Sequence, residues 1–348
     1  MNAVTELIAD AIDGVPHPAN CRKVMGHDET ISKFLELYRN GRIHHAYLVT
    51  GPRGIGKASL CLRFASHVFR FEDPQTSPVT LMPVEEGDPI DGMIASRSHP
   101  NLLHMARPWD DKAKRFKTQL TVDEVRRTVS FFGTSKGMEG WRVAIVDSAD
   151  DLNTNAANAL LKILEEPPEK TLFFVLSHSP AKVLPTIRSR CLHMPLKPLP
   201  EDKILEIMNH LDLLEGVSAA DQQFLAGISN GSVRNCIQLI HEDGLELYQN
   251  LEKLLGGNDW VNIHALAEKV TGRGQEERYK LLFQFALQFL EARATGRSGD
   301  NSSISVLARW AEVWEKTKNS VRTADAYNLD KKQIILNLFD DAYRTAAN

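Results

Sequence analysis

The segment Gly51–Ser59, GPRGIGKAS, has the residue types and spacing of a loop that binds the phosphates of a nucleotide. Its glycines allow backbone N–H groups to converge on phosphate oxygens, and its lysine supplies a positive charge. The common pattern, G-x-x-x-x-G-K-[ST], ends in a hydroxyl that holds Mg²⁺. Here Ala58 takes that place, and Ser59 comes one residue late, so that on a helix it points roughly 100° away.

We therefore expect a phosphate site that is weakened or vestigial, with ATP or ADP as its ligand if a nucleotide binds. The alternative is a glycine-rich turn before a helix that binds no ligand. The candidate nucleotide-binding residues of this segment are Gly51, Gly54, Gly56, Lys57, Ala58 and Ser59.

A second candidate position ends the apolar run in VAIVDSAD, where Asp147 is followed by Ser148. In P-loop ATPases of the Asp-Glu type, the Asp lies near Mg²⁺ and the Glu polarises the attacking water. Serine cannot act as a general base at neutral pH, so we do not expect efficient hydrolysis here. The alternative makes Asp147 a polar strand terminus, and Asp150 and Asp151 a helix N-cap cluster.

Both positions follow short apolar runs that are typical of buried parallel strands. Alternating strands and helices predict an α/β fold, a parallel sheet covered by helices on both faces, with ligands at the carboxyl ends of the strands. The predicted strands are Ala46–Thr50, Asn101–Met105, Arg142–Asp147, Thr171–Ser177 and Cys191–Leu196. The helices predicted between them are Lys57–Phe69, Val122–Phe132, Thr154–Glu165 and Lys182–Arg188.

Two stretches depart from this alternation. Residues 71–100 are rich in Pro, acidic and small residues, which predicts a long surface excursion. After the proline pair near residue 198, the patterns are helical only. The helices predicted there are Leu205–Leu214, Asp221–Ile228, Val233–Ile240, Val261–Val270, Gln275–Ala294, Ile304–Lys318 and Lys331–Ala346.

Length and composition are those of a soluble globular protein with two or three domains: 348 residues, 43% hydrophobic and 25% charged. The net charge of -4 gives no global electrostatic argument for binding nucleic acid. The N-terminus lacks the basic start of a signal peptide, and no apolar run has the length of a membrane span. No C-x-x-C pair occurs, so we expect reduced thiols in the cytoplasm at Cys21, Cys61, Cys191 and Cys236.

The order of the motifs resembles the clamp-loader branch of the AAA+ proteins. The segments that carry the resemblance are HHAYLVTGPRGIGK, SHPNLLHM, LTVDEVR, NAANALLKILEEPP, LFFVLS and IRSRC, and it covers most of Val24–Ile240. It implies an AAA+ P-loop domain at 20–197, a helical lid domain at 198–254 and an all-α oligomerisation (collar) domain at 255–348. The altered nucleotide site is most similar to that of the delta-prime subunits of bacterial DNA polymerase III, whereas the motor subunits gamma and tau keep the hydroxyl and the Asp-Glu pair.

The resemblance implies roles for three further residues. Arg190, in Ser-Arg-Cys, would be a catalytic arginine finger that acts in trans on ATP held by a neighbouring subunit; the alternative is an arginine at the negative end of a helix. Ser177 would be a first sensor of the γ-phosphate, and Arg234 a second sensor on the lid helix; the alternatives are a strand terminus and a solvated arginine. The family's cysteine zinc module has no counterpart in residues 71–100, which contain no Cys, so we predict no zinc.

The function implied is that of a non-motor subunit in a ring-like pentamer that loads a sliding clamp on primed DNA, with intrinsic ATPase activity absent or weak. The partners would be gamma or tau, delta, the clamp and primer-template DNA, and no membrane. DNA would be contacted at phosphates, with a candidate patch at Lys112, Lys114, Arg115 and Lys117 that is otherwise a solvated loop. The alternatives are an active ATP-hydrolysing motor subunit and a P-loop kinase, in which the Ser-Arg-Cys and KILEEPP stretches have no role.

Overall fold

A computed structural model describes residues 11–12, 15–133, 140–241, 243–296, 303–327 and 329–347. The chain divides into two compact units, Met1–Asn235 and Cys236–Asn348. Within the described ranges, no helix is both long and apolar enough to cross a bilayer. The domain boundaries 20–197, 198–254 and 255–348 remain predictions.

The first unit is built on a five-stranded parallel sheet with the strand order β2-β5-β6-β1-β7. The α/β prediction is therefore confirmed. All residues of the central strands β1 and β6 are buried, which explains why their sequences are continuous apolar runs rather than alternating ones. The strands are β1 (Ala46–Thr50), β2 (Leu102–Ala106), β5 (Arg142–Asp147), β6 (Thr171–Ser177) and β7 (Leu192–Pro195), and a separate hairpin pairs β3 (Trp109–Asp110) with β4 (Arg115–Phe116).

Side chains from alternate positions of each strand enter two different cores. On one face, Tyr47 packs around Phe34 with ring centroids 4.9 Å apart in an edge-to-face arrangement. On the other face, Leu48 joins a cluster that contains Leu160 and Phe173. The helices of this unit are α1 (Asp28–Arg39), α2 (Lys57–Arg70), α3 (Pro89–Ala95), α4 (Val122–Gly133), α5 (Thr154–Glu165), α6 (Pro185–Arg188), α7 (Glu201–His210) and α8 (Ala219–Ile228).

The strand register decides which residues share an edge of the sheet. Thr50 lies opposite Ser177, so the ends of β1 and β6 coincide at the carboxyl edge, and Asp147 ends β5 at that edge. At the other end, Tyr47 lies opposite Leu192. The residues that precede β7 therefore lie at the amino edge.

The segment 71–100 is more ordered than the predicted surface excursion. It contains α3, and Asp91 on that helix accepts hydrogen bonds from Arg63 at 2.5 Å and Ser66 at 2.6 Å, while Arg70 pairs with Asp91 at 2.8 Å. His67 and Ser77 form a second buried contact, 2.7 Å between Nε2 and Oγ. These contacts attach the segment to α2. Asp91 and Arg63 are both buried, and a buried charge requires a partner of opposite charge.

The predicted helix Lys182–Arg188 is wrong as a continuous element. A 3₁₀ turn ends at Lys182, and α6 begins only at Pro185, because proline lacks the N–H that would continue the preceding turn.

Helix α9 consists of Val233–His241. In the described part of the chain after residue 196, every regular element is a helix. The core of the second unit includes Phe283, Phe285 and Phe339, each fully buried. Its further helices are α10 (Gly244–Leu255), α11 (Trp260–Thr271), α12 (Glu276–Ala294), α13 (Ile304–Tyr327) and α14 (Lys331–Ala347).

Candidate functional site

Lys57 opens α2 directly after β1 and the glycine-rich loop, at the carboxyl edge of the sheet. Its side chain folds back over the loop, where Nζ donates to the carbonyl oxygens of Gly51 at 2.7 Å and Pro52 at 2.6 Å. Burial lowers the pKa of Lys57 to about 8, although the carboxylates of Asp147 and Asp150 act in the opposite direction. Two of the three N–H donors of the lysine are thus bonded to carbonyl oxygens within the loop.

Ala58 and Ser59 do not supply the missing magnesium ligand. The methyl group of Ala58 packs against the hydrophobic cluster beneath α2. Ser59 lies beside Cys21, where burial raises the pKa of the thiol and the hydrogen bond with Ser59 opposes that shift. Neither residue therefore supplies the hydroxyl that would bind Mg²⁺ directly after the lysine of the motif.

Two glycines of the loop permit close approaches of the chain. Gly51 has φ +148°, and a Cβ there would meet the carbonyl oxygen of Leu196 at 2.6 Å. Gly54 has φ +80°, and a Cβ there would lie 2.3 Å from Cβ of Arg234. These two positions require glycine because of packing, whether or not a phosphate binds.

The segment that contains Arg234 covers the loop. Ser232 donates its hydroxyl to the carbonyl of Arg53 at 2.8 Å, and the N–H of Arg234 donates to the carbonyl of Gly54 at 3.3 Å. The backbone at the candidate second sensor is therefore fixed to the glycine-rich loop by hydrogen bonds.

Asp147 lies at the end of β5 among basic side chains. Its Oδ2 is 3.5 Å from Nε2 of His104, longer than an ordinary hydrogen bond. Burial acts to raise the pKa of Asp147, but the contact with His104 and the positive charge of Lys57 act against burial, and the pKa is lowered. Burial and the charge of Lys57 lower the pKa of His178 to about 4, so this imidazole is neutral at pH 7.

The candidate first sensor, Ser177, is bonded to an aspartate of its own chain. Its hydroxyl donates to Asp150 Oδ1 at 2.9 Å, and the N–H groups of His178 and Ser179 donate to the same carboxylate at 2.6 and 3.1 Å. The interpretation of Asp150 as a helix cap is wrong, because Asn153 caps α5 by accepting from the N–H of Ala156. Three donors make Asp150 the anchor of the turn that follows β6.

Ser148, at the position where the Asp-Glu pattern has a general base, is buried. Its hydroxyl lies 3.4 Å from Oδ2 of Asp151. A hydroxyl in this position has no means of removing a proton from water at neutral pH. Within the described ranges, no cluster of His, Cys, Asp and Glu has the arrangement that a metal ion needs.

Arg190 lies between α6 and β7, far from Lys57, at the amino edge of the sheet. Its Nη2 forms an ion pair with Oε1 of Glu165 at 2.6 Å, and its Nη1 donates to the carbonyl of Thr186 at 2.9 Å. The second contact agrees with the alternative in which the arginine interacts with the end of its helix. The structure thus separates Arg190 from the other candidate residues, which lie near the carboxyl edge.

The candidate DNA patch lies on the hairpin of β3 and β4. All four of its cations are exposed, and Trp109 and Phe116 form an edge-to-face pair with centroids 5.0 Å apart between the two strands. Asp110 accepts from the N–H groups of Lys112 and Ala113, both at 3.0 Å, which fixes the turn. The cations are Lys112, Lys114, Arg115 and Lys117.

Sequence reasoning missed the roles of three residues around these positions, and it named one of them, Asp150, only as a possible helix cap. Asp150 and His178 follow strands that end at the carboxyl edge, and the rule that such ends meet could have found them. Glu165 carries no such signal, because its partner Arg190 is 25 residues away, between α6 and β7.

A family model and the curated relatives both match this chain to subunits of DNA polymerase III. A family model described as "DNA polymerase III, delta subunit" matches residues 26–200, which are 175 of the 348 residues. The DNA polymerase III subunit delta' of Pseudomonas aeruginosa is 31% identical over 224 residues, covering 61% of this chain and 61% of that protein. The DNA polymerase III subunit gamma of Buchnera aphidicola is 28% identical over 253 residues, covering 71% of this chain and 64% of that protein.

Among solved structures, a DNA polymerase III gamma subunit-related protein from Thermotoga maritima superposes with a TM-score of 0.49 at 15% identity, covering 90% of this chain and 99% of that one. The chain spans less than two thirds of the length of the two curated relatives. The relatives include delta' and gamma subunits at similar identity, so identity alone does not separate the two kinds of subunit.

Proposed function

This chain belongs to the clamp-loader family described as DNA polymerase III, delta subunit, and from that membership we propose that it is a delta-prime-like, non-motor subunit of a clamp-loader complex. In this function it helps to load the sliding clamp on primed DNA. It contributes Arg190 to the ATPase site of a neighbouring subunit. Its partners are the motor subunits of the gamma or tau kind, delta, the clamp and primer-template DNA.

The observation that carries the proposal is the position of Arg190 relative to the chain's own phosphate loop. The register of β1 and β7 puts Arg190 at the amino edge of the sheet, whereas Gly51 follows β1 at the carboxyl edge. Tyr47 and Gly51 are four residues apart, which at about 3.3 Å per residue separates the edges by about 13 Å of strand. Arg190 is therefore suited to a phosphate held by another chain rather than to its own loop.

The chain's own loop is poorly equipped for hydrolysis. Ala58 offers no oxygen to Mg²⁺, and Ser148 stands where the base belongs. Ser177 is bonded to Asp150 over 2.9 Å, so its hydroxyl is committed within the chain. Three positions that ATP hydrolysis would use are thus altered or engaged, which supports a subunit that does not act as a motor.

One observation favours the second candidate, an active motor of the gamma or tau kind. Lys57 and the loop glycines are intact. A third candidate, a P-loop phosphotransferase, leaves Arg190 without a role.

ATP binding and hydrolysis by the purified chain, with Mg²⁺, test the proposal against the motor alternative. We expect weak or no binding in calorimetry and no release of phosphate above a blank without protein. Steady turnover that is lost in Lys57→Ala would establish a working motor and overturn the proposal.

A further inference from the structure

The two shortest polar contacts of Arg190 differ in charge, and a third, from Nη1 to the hydroxyl of Ser189, is 3.5 Å long. The carbonyl of Thr186 accepts from Nη1 at 2.9 Å, and the carboxylate of Glu165 pairs with Nη2 at 2.6 Å. Glu165 is the last residue of α5, whereas Arg190 follows α6, so the pair joins two elements. The side chains are partly exposed, 33% for Arg190 and 47% for Glu165, so both are within reach of solvent or a partner.

An arginine binds a phosphate most strongly through a planar fork of two N–H donors. In this chain both terminal nitrogens of the fork already have acceptors. A phosphate oxygen that approached Nη2 from the side of Glu165 would compete with that carboxylate, because both carry negative charge.

We propose that Glu165 is a latch that retains Arg190 in the free subunit and must release it before Arg190 can bind the phosphates of a neighbour's nucleotide. This inference rests on the proposed function of Arg190.

The two contacts differ in what they could do for such an arginine. The neutral carbonyl of Thr186 orients the guanidinium without changing its charge. A carboxylate at 2.6 Å offsets the positive charge that a transferring phosphoryl group needs. The contact with Glu165 is therefore suited to prevent Arg190 from binding a phosphate, whereas the contact with Thr186 is suited to orient its guanidinium.

The latch is weak enough to open on assembly. Ion pairs between partly exposed side chains shift a two-state equilibrium by no more than about fivefold. The negative charge on a neighbour's nucleotide phosphates is larger than that of one carboxylate, so the exchange favours the phosphates when they are present.

Two measurements test the latch. In the free subunit, the rate at which phenylglyoxal modifies Arg190, followed by peptide mass spectrometry, should rise in Glu165→Gln by up to about fivefold. In the reconstituted clamp-loader complex, the same variant should raise the DNA-stimulated ATPase rate at limiting ATP by a similar factor. The control is Glu166→Gln, since Glu166 is the adjacent exposed carboxylate and forms no ion pair among the described residues.

Arg190→Ala in the same complex separates the two possible failures. If Arg190→Ala lowers the ATPase rate while Glu165→Gln leaves it unchanged or lowers it, the finger stands and the latch is wrong. If Arg190→Ala leaves the ATPase rate unchanged, the proposed function of Arg190 is wrong, and the latch proposal, which depends on it, is wrong as well. An unchanged modification rate in Glu165→Gln overturns the latch directly.

Discussion

The hydroxyl of Ser177 donates a hydrogen bond of 2.9 Å to the carboxylate of Asp150, three residues beyond Asp147. Two backbone N–H groups after β6 complete the coordination of the same carboxylate. An aspartate with three donors is a strong local anchor. The turn that would sense a γ-phosphate is thus organised around a side chain of its own protein.

Restoring the magnesium hydroxyl alone should not create an ATPase. Ala58→Ser supplies an oxygen after Lys57, but Ser148 still stands at the position of the base and Ser177 remains bonded to Asp150. We expect phosphate release by purified Ala58→Ser to stay at the level of the unmodified chain. Turnover at about 1 s⁻¹ or above, within the ordinary range of enzymes, would show that the hydroxyl was the one missing part.

Replacing Arg190 should affect a neighbour's chemistry and not the fold of this chain. An arginine supplied in trans is worth about 10³–10⁵ in rate at the site that it serves. We expect Arg190→Ala to assemble normally by size-exclusion chromatography and to depress the DNA-stimulated ATPase of the complex. Arg188→Ala is the matched control, because Arg188 is an exposed arginine two residues away. Equal rates for the two variants would contradict the assignment.

Gly54→Ala should destabilise the first unit more than Gly56→Ala. Both glycines have positive φ, +80° and +95°, so either alanine adds backbone strain of about 1–3 kcal/mol. Only at Gly54 would the new Cβ also overlap Arg234, at 2.3 Å, and overpacking adds about 1–3 kcal/mol. Urea denaturation of the two variants measures the difference, and equal free energies of unfolding would rule out the close packing.

Stability should fall on acidification, partly because of His67. Burial, with the charges of Arg70 and Arg63, lowers the pKa of His67 to about 4 from 6.5. Between these values the unfolded chain binds a proton that the folded chain does not, so stability is full above about pH 6.5 and declines towards pH 4. The difference between these two pKa values limits the loss of stability to about 3 kcal/mol. His67 is only 3% exposed.

His67→Gln measures that contribution, because glutamine can bond to Ser77 but does not titrate. Its free energy of unfolding should be lower at pH 7.5 and should decline less steeply between pH 6.5 and 4 than that of the unmodified chain. The same slope in both proteins would exclude His67 as a source of the pH dependence. His17 and His178, whose pKa values burial also lowers to about 4, account for part of the slope that remains.

The hairpin should contribute to the salt dependence of DNA binding by the assembled complex. Each cation that neutralises a phosphate contributes about 0.9 to the slope of log K against log salt. Lys114→Gln with Arg115→Gln should therefore reduce the slope by up to about two. Arg126→Gln is the control, because Arg126 is already 3.4 Å from Asp123. An unchanged slope in the double variant would leave the hairpin as a solvated loop.

Local patterns predicted much of the sheet, because each buried strand is a short apolar run bounded by turn residues. β1, β5, β6 and helix α5 match their predicted bounds. The break before Pro185 was within reach of the sequence, since proline cannot continue a helix. Helices α1 and α10 were not predicted from the same patterns.

The contacts that define the candidate site could not be predicted in the same way. Gly54 and Arg234 are 180 residues apart in the sequence, and only the folded chain brings them so close that a Cβ at Gly54 would lie 2.3 Å from Cβ of Arg234. The ion pair of Glu165 and Arg190 likewise joins two partly exposed side chains of types that can pair with many partners. Residue type and spacing indicate which chemistry is available, but long-range packing decides which groups meet.

The close packing of Gly54 against Arg234 gives the glycine-rich loop a structural role that does not depend on catalysis. Loss of the magnesium hydroxyl and of the base would leave this packing unchanged, whereas any replacement of Gly54 would disturb its contact with Arg234. The letters of a nucleotide-binding signature can therefore persist as an imprint of architecture. The presence of such a signature is therefore not by itself evidence that a chain hydrolyses ATP.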